Sequence, residues 1–271
     1  VKTERLTTLA AVKDWLDITG DESDSTLTRL IDAASQFILS WTSRDSFQSQ
    51  PYTQTFRGNG KQSTLLKNWP VLSVSSVGLG GMSVSPSSAF VNGLPGRGYF
   101  ISDPRDAPQS LELVGYCYTY QCLCQVTYVA GFRTSQTSEI PALADGATYA
   151  VIVPNSGGCW SNDLGVTING IDAPLSDTGT PDVGQYAVDE WGTYSFNAAD
   201  IGQVAVISYD YTPWVLSQAA TELIGEWFKR KDRIGLLSKT LGGQETITFS
   251  QRDMNDSIKS ALQLYSNVIP L

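Results

Sequence analysis

The chain has 271 residues, 41% of them apolar and 17% charged, which is the composition of a globular protein with a real core rather than a disordered one. It contains no histidine, so a Ser/His/Asp triad, a Cys/His dyad, an HExxH zinc site and a zinc deaminase site are all excluded. With 27 acidic residues against 18 basic ones, the net charge of −9 argues against a broad positive surface that tracks duplex DNA, although DNA could still slide past such a surface inside an assembly.

The first region reads as helical. Leu6, Leu9, Val12, Trp15 and Leu16 recur at spacings of three and four, with Thr7 or Thr8 as a cap and Gly20 as a stop. A second helix follows an acidic lead of Asp21, Glu22 and Asp24, and places Leu27, Leu30, Ile31, Ala34, Phe37, Ile38 and Trp41 on one side. The two should form an antiparallel hairpin.

From residue 51 the period changes to two. Short strands are expected around the Gly58-Asn59-Gly60 turn, after Pro70, in GYFISD, in SLELVGY and in CLCQVTYVAGF. Trp69-Pro70 reads as a turn with its indole packed on the helices, and Gly78 to Gly81 as a hairpin turn rather than a phosphate loop.

Residues 134–210 look like a separate β-rich unit, with TYAVIV, GVTING, GQYAVDE, GTYSFNA and QVAVISYDY separated by turn-forming residues. At Pro213 the helical period returns, with Val215, Leu216, Ala219, Leu223, Ile224, Trp227 and Phe228 on one face and a basic run from Lys229 to Arg233 in the last turns. A final helix carries Ile258, Ala261, Leu262 and Tyr265. The fold class is therefore α+β: a small helical bundle with short antiparallel strands, interrupted by an all-β barrel- or sandwich-like insertion. The helical body would comprise 1–133 and 211–271, and the insertion 134–210.

The cysteines are Cys117, Cys122, Cys124 and Cys159. Cys122 and Cys124 are one residue apart in an apparent strand and cannot easily wrap one tetrahedral ion, so buried free thiols are the first reading, ahead of a disulfide or a metal. Asp163 with Asp172, and Asp103 with Asp106, could sit near each other as paired carboxylates, but turn aspartates facing solvent are the simpler account. No catalytic residue, metal site or cofactor is expected. The segment ETITFS is β-prone and isolated between two helices, so it must find a strand edge in its own domain or on a neighbouring subunit.

Three blocks carry a resemblance. The opening LTTLAAVKDWLDITGDESDSTLTRLIDAASQFILSWTSRDSF, the central YTQTFRGNGKQSTLLKNWPVLSVSSV and the late AATELIGEWFKRKDRIGLLSKTLGGQETITF resemble, in that order, tailed-phage head-tail connector proteins, also called adaptors or DNA-packaging connectors. The segment GTYSFNAADIGQVAVISYDYTP is similar to one in longer connector-like proteins, and the β-rich insertion departs from the compact family pattern.

The resemblance implies a ring of identical subunits, twelve in the usual arrangement, beneath the portal protein. That ring would extend the channel through which genomic DNA passes and present a platform to a stopper or tail-completion protein. It also implies that the late segment embraces the portal, which maps onto Lys229, Arg230, Lys231, Arg233, Leu236, Leu237, Thr246, Ile247, Thr248 and Phe249. Trp160, Trp191 and Tyr194 are the candidate contacts of the insertion, because aromatic rings give large contact area at low entropic cost, although core packing is an open alternative for each. The protein would be made in the host cytoplasm, since VKTERLTTLAAVKDWL lacks the pattern of a signal peptide, and would end in the virion at the head-tail interface. Other readings are a different neck or tail-completion role, a carbohydrate-binding module, and a glycosidase using two carboxylates.

Overall fold

A computed structural model describes residues 4–87, 96–102, 108–118, 122–155, 158–230, 238–241, 245–248 and 254–267, with the backbone alone for 238–241 and 245–248. Internal packing divides the chain into two units: Val1–Ser43 with Thr212–Ser266, and Arg44–Tyr211 with Asn267–Leu271. Residues 44–133, which the sequence reading joined to the helices, group here with the strands that follow them.

In the helical unit, α1 (Leu9–Leu16) is capped by Thr8, whose side-chain oxygen accepts from the Ala11 amide at 3.2 Å. It ends at Asp17 in the left-handed conformation, before the glycine expected to stop it. Helix α2 (Asp24–Trp41) buries Leu27, Ile31, Ala34 and Ile38, and each large aliphatic side chain so buried contributes about 2 kcal/mol.

Lys13 reaches Asp24 at 2.9 Å and Asp21 at 3.0 Å, and these carboxylates raise its pKa. Helix α3 (Trp214–Arg230) starts directly after Pro213 and buries Leu216, Ala219, Ala220, Leu223 and Ile224. Phe37 meets Trp227 edge to face at 5.6 Å, and the Thr7 and Thr221 hydroxyls are 2.7 Å apart. Trp15, expected in the core, is 52% exposed; its indole edge lies over Gly225, where an added Cβ would sit 3.1 Å from its Nε1. Helix α4 (Asp256–Gln263), capped by Asn255, buries Ile258 and Leu262.

The β unit holds β1 (Gln50–Arg57), β2 (Ser63–Leu65), β3 (Val71–Leu79), β4 (Met82–Val84), β5 (Gly98–Ile101), β6 (Ser110–Val114), β7 (Leu123–Ala130), β8 (Arg133–Glu139), β9 (Ala150–Ile152), β10 (Gly158–Ile168), β11 (Ile171–Ala173), β12 (Tyr186–Val188), β13 (Tyr194–Phe196) and β14 (Val204–Pro213). They form sheets ordered β1-β7-β3-β4, β2-β6-β5, β11-β10-β14-β8 and β12-β13-β9, and every named pair described is antiparallel. Gly80 and Gly81, with φ of 56° and 88°, make the two-residue turn between β3 and β4, as their spacing predicts.

The first two sheets share a core that includes Leu111, Leu113, Cys124, Val126 and Tyr128. The other two close over Ile152, Val166, Ile168, Tyr194, Phe196, Ile207 and Tyr209. Two sheets around one core is a sandwich-like arrangement, and among the described residues no sheet closes into a barrel.

At the junction of these two pairs of sheets, the Arg44 guanidinium lies 4.5 Å from the Trp69 ring centre, 5.3 Å from that of Phe47 and 5.7 Å from that of Phe132. Its Nη1 donates to the Trp69 carbonyl at 2.6 Å. Arg44 and Phe132 are among the contacts of the Trp69 indole. Gly131, with φ of 143°, brings the chain so close to Gln48 and Ser49 that a Cβ would meet their backbone atoms at 2.5 Å.

The segment read as an isolated strand has a sequence-adjacent partner. Strands β15 (Ser238–Leu241) and β16 (Glu245–Thr248) pair antiparallel, Ser238 opposite Thr248 and Leu241 opposite Glu245, so the extended segment is one arm of a local hairpin.

Candidate interaction surfaces

The late segment contributes its first two basic residues at the C-terminal end of α3, Lys229 exposed and Arg230 half-buried, where cations offset the negative end of the helix dipole. Thr246, Ile247 and Thr248 stand on β16 opposite Thr240, Lys239 and Ser238. Lys231, Arg233, Leu236, Leu237 and Phe249 lie outside the described residues, as do Asp103 and Asp106.

The three aromatic candidates of the insertion separate into two roles. Tyr194 is fully buried on β13, and Trp160 on β10 packs against the same core. Trp160 Nε1 donates to the Tyr194 hydroxyl at 3.1 Å, and that hydroxyl donates to Asp163 Oδ1 at 2.8 Å. Tyr186 donates to Asp163 Oδ2 at 2.7 Å, and its ring stacks on Tyr194 at 5.9 Å. Burial, reinforced by the Asp163 carboxylate, pushes both phenols well above their usual range. Tyr194 and Trp160 are therefore core members, and Asp163 is their anchor. Asp172, its suggested partner, is exposed on β11 opposite Thr167.

Trp191 behaves differently. It sits in the turn between β12 and β13, where Asp189 Oδ1 accepts from the amides of Trp191 and Thr193 at 2.9 and 2.8 Å, and it is 51% exposed. Gly192 beside it leaves the space that the Trp160 ring occupies.

Asp210 is a feature the sequence reading did not single out. It is buried on β14, with Arg133 Nε at 3.8 Å from Oδ1 and Asn162 Nδ2 at 3.5 Å from Oδ2. Burial raises its pKa, while hydrogen bonds from Ser49 and Asn162 and the charge of Arg133 hold it back.

The four cysteines are unbridged, and the expectation of buried thiols holds fully for Cys124 alone. Cys117 is exposed, and Cys122 and Cys159 are intermediate. No group of three or more metal-ligating side chains occurs among the described residues, and no helix described there is long and apolar enough to cross a membrane.

Charge is distributed unevenly over the β unit. Residues 68–96 and 113–132 contain no charged side chain. Residues 134–210 hold ten of the chain's 27 Asp and Glu and none of its 18 Lys and Arg, so this segment carries −10 and the rest of the chain +1.

Compared with known proteins, the chain matches no curated protein. Residues 5–133 do match the head completion protein family, a stretch running from before α1 to the first residue of β8. Over those residues the chain is similar to the head completion protein family, a likeness that supports a role in joining phage head and tail.

Proposed function

We propose that the chain is a structural subunit of a ring beneath the phage portal, joining the DNA-filled head to the tail or the next connector and extending the DNA channel. It works by assembly, not turnover. The observation that carries this reading is the family match over residues 5–133, the part of the chain that folds into α1, α2 and the first two sheets.

Its partners in this reading are the portal protein, identical subunits, twelve to the ring, and a stopper or tail-completion protein. Contacts that are weak singly become strong when a closed ring presents them together, because the later ones are effectively intramolecular. The end of α3 and the β15–β16 hairpin supply the portal contact, since a two-stranded ribbon can order fully on a partner's surface. The DNA slides through without being held, in keeping with a segment of 77 residues that carries ten negative charges and no positive ones.

The test is to tag the chain, capture it from cells producing phage particles and image the assemblies by electron microscopy. A ring seated between portal and tail is expected. A subunit found farther along the tail, or recovered alone beside intact connectors, would overturn the reading. Proteolysis of residues 231–253 in free and ring-bound protein tests the portal contact, which fails if protection is equal in both states.

A further inference from the structure

We propose that the end of the three-stranded sheet β12-β13-β9 that carries Val151, Val153 and Trp191 is a docking surface for a cationic protein partner, with Trp191 as its centre. This goes beyond the ring reading, which rests on residues 5–133.

The register of that sheet builds the surface. Val151 stands opposite Ser195, and Ile152 opposite Tyr194. Tyr194 and Ile152 point into the core, so Val151 and Val153, one residue to either side of Ile152, point out. Val188 pairs with Tyr194, so the turn that carries Trp191 lies at the end of the sheet where β9 runs on to Val153. Val151 is 44% exposed, Val153 63% and Trp191 51%. Apolar side chains gathered at one end of a small sheet, with a polar surround, mark an interaction site more often than a solvated face.

Charge decides the occupant. Asp189 and Glu190, both exposed, flank Trp191 in the same turn, and no Lys or Arg occurs anywhere from residue 134 to residue 210. An anionic rim around an apolar centre repels nucleic acid and anionic lipid headgroups alike. It attracts a protein surface that presents Lys or Arg around an apolar patch, and such complementary rims steer encounter and suppress wrong partners. Trp191 then supplies the buried anchor, since tryptophan is among the residues enriched where an interface concentrates its energy. Its backbone is pre-set by the two hydrogen bonds to Asp189, which lowers the ordering cost of binding.

The experiment places a photo-crosslinking amino acid at Trp191, and at Thr53 on β1 as a control, in the full chain during phage production. Crosslinked peptides are then identified by mass spectrometry. The expected product from position 191 joins it to a Lys- or Arg-rich segment of another virion protein, and a crosslink to a second copy of this chain would overturn the proposal. A Val153 photo-crosslinker should give the same product. With the photo-crosslinker at Val153, Glu190→Lys should lower its yield about fivefold, and raised salt should lower it further. Crosslinks to DNA, products at segments without basic residues, yields equal to the Thr53 control, or yields indifferent to Glu190→Lys and salt would each overturn the proposal. Failure of the ring reading is scored separately, by where the particle images place the chain.

Discussion

The two halves of the β unit, residues 44–133 and 134–211, are both antiparallel sheet pairs around a core, yet they satisfy their buried polar groups differently. In the first, apart from the Arg44 guanidinium at the junction, the buried polar groups described are neutral. The Tyr128 hydroxyl accepts from the Asn68 amide and donates to Gln54, and Gln109 Oε1 accepts from the Val71 amide at 2.6 Å. In the second, two tyrosines converge on the Asp163 carboxylate and Asp210 is buried outright. The first half keeps its strands nearly free of charge, and the second holds all of the chain's net negative charge and more. Similar architecture thus does not imply similar surface chemistry. The half inside the family match is suited to close packing, and the half beyond it to electrostatic selection of a partner.

The contrast is sharpest where the halves join, and the largest effects are expected there. Gly131→Val forces a side chain onto the backbone of Gln48 and Ser49 at a positive φ, and should cost about 4 kcal/mol or more, read as loss of the cooperative urea transition. A wild-type midpoint would show that the close approach is not required. Arg44→Met keeps the length of the side chain but removes the cation from three aromatic rings and the hydrogen bond to the Trp69 carbonyl. A loss of about 3 kcal/mol is expected, together with a shifted tryptophan emission.

Much of this architecture was legible in the sequence. Alternation of Cys124, Val126, Tyr128 and Ala130 marks the buried side of β7, and the three-and-four spacing marks α2 and α3. Strand β8 was not legible, because Arg-Thr-Ser-Gln-Thr-Ser-Glu has no apolar side; backbone pairing with β14, from Arg133 opposite Asp210 to Glu139 opposite Val204, makes it a strand. The partner of the ETIT segment was missed for the same reason, Ser-Lys-Thr-Leu being too polar and short to register. Periodicity also cannot separate a half-exposed Trp15 from a core residue, nor show that Tyr194 is an internal anchor while Trp191 faces solvent. The Asp163 cluster left a faint trace, two tyrosines on neighbouring short strands and one Asp, which gains meaning only once the strands pair.

Within the second half, Asp163→Asn tests whether its core needs a charged acceptor. An amide can accept from one tyrosine but turns a donor toward the other, so a loss of about 2 kcal/mol is expected. Near-ultraviolet circular dichroism would follow the tyrosines directly. An unchanged spectrum and midpoint would mean that the carboxylate is incidental.

The smallest effect is expected at Asp210, and its sign is opposite to the others. Its pKa is raised in the folded protein, chiefly by burial, so folding binds a proton there that the unfolded chain would release. This part of the stability is present below the ordinary carboxylate pKa of about 4 and is lost as pH rises through the folded value. At neutral pH the buried carboxylate therefore costs more than Arg133 returns, because Arg133 is half exposed and 3.8 Å away. Asp210→Asn should raise the neutral-pH midpoint by about 1 kcal/mol and flatten the pH dependence of stability above pH ~4, measured by thermal melts across pH. If the variant is instead destabilised by a similar amount, the Arg133 ion pair outweighs burial, and the second half would depend on charge in its interior as well as on its surface.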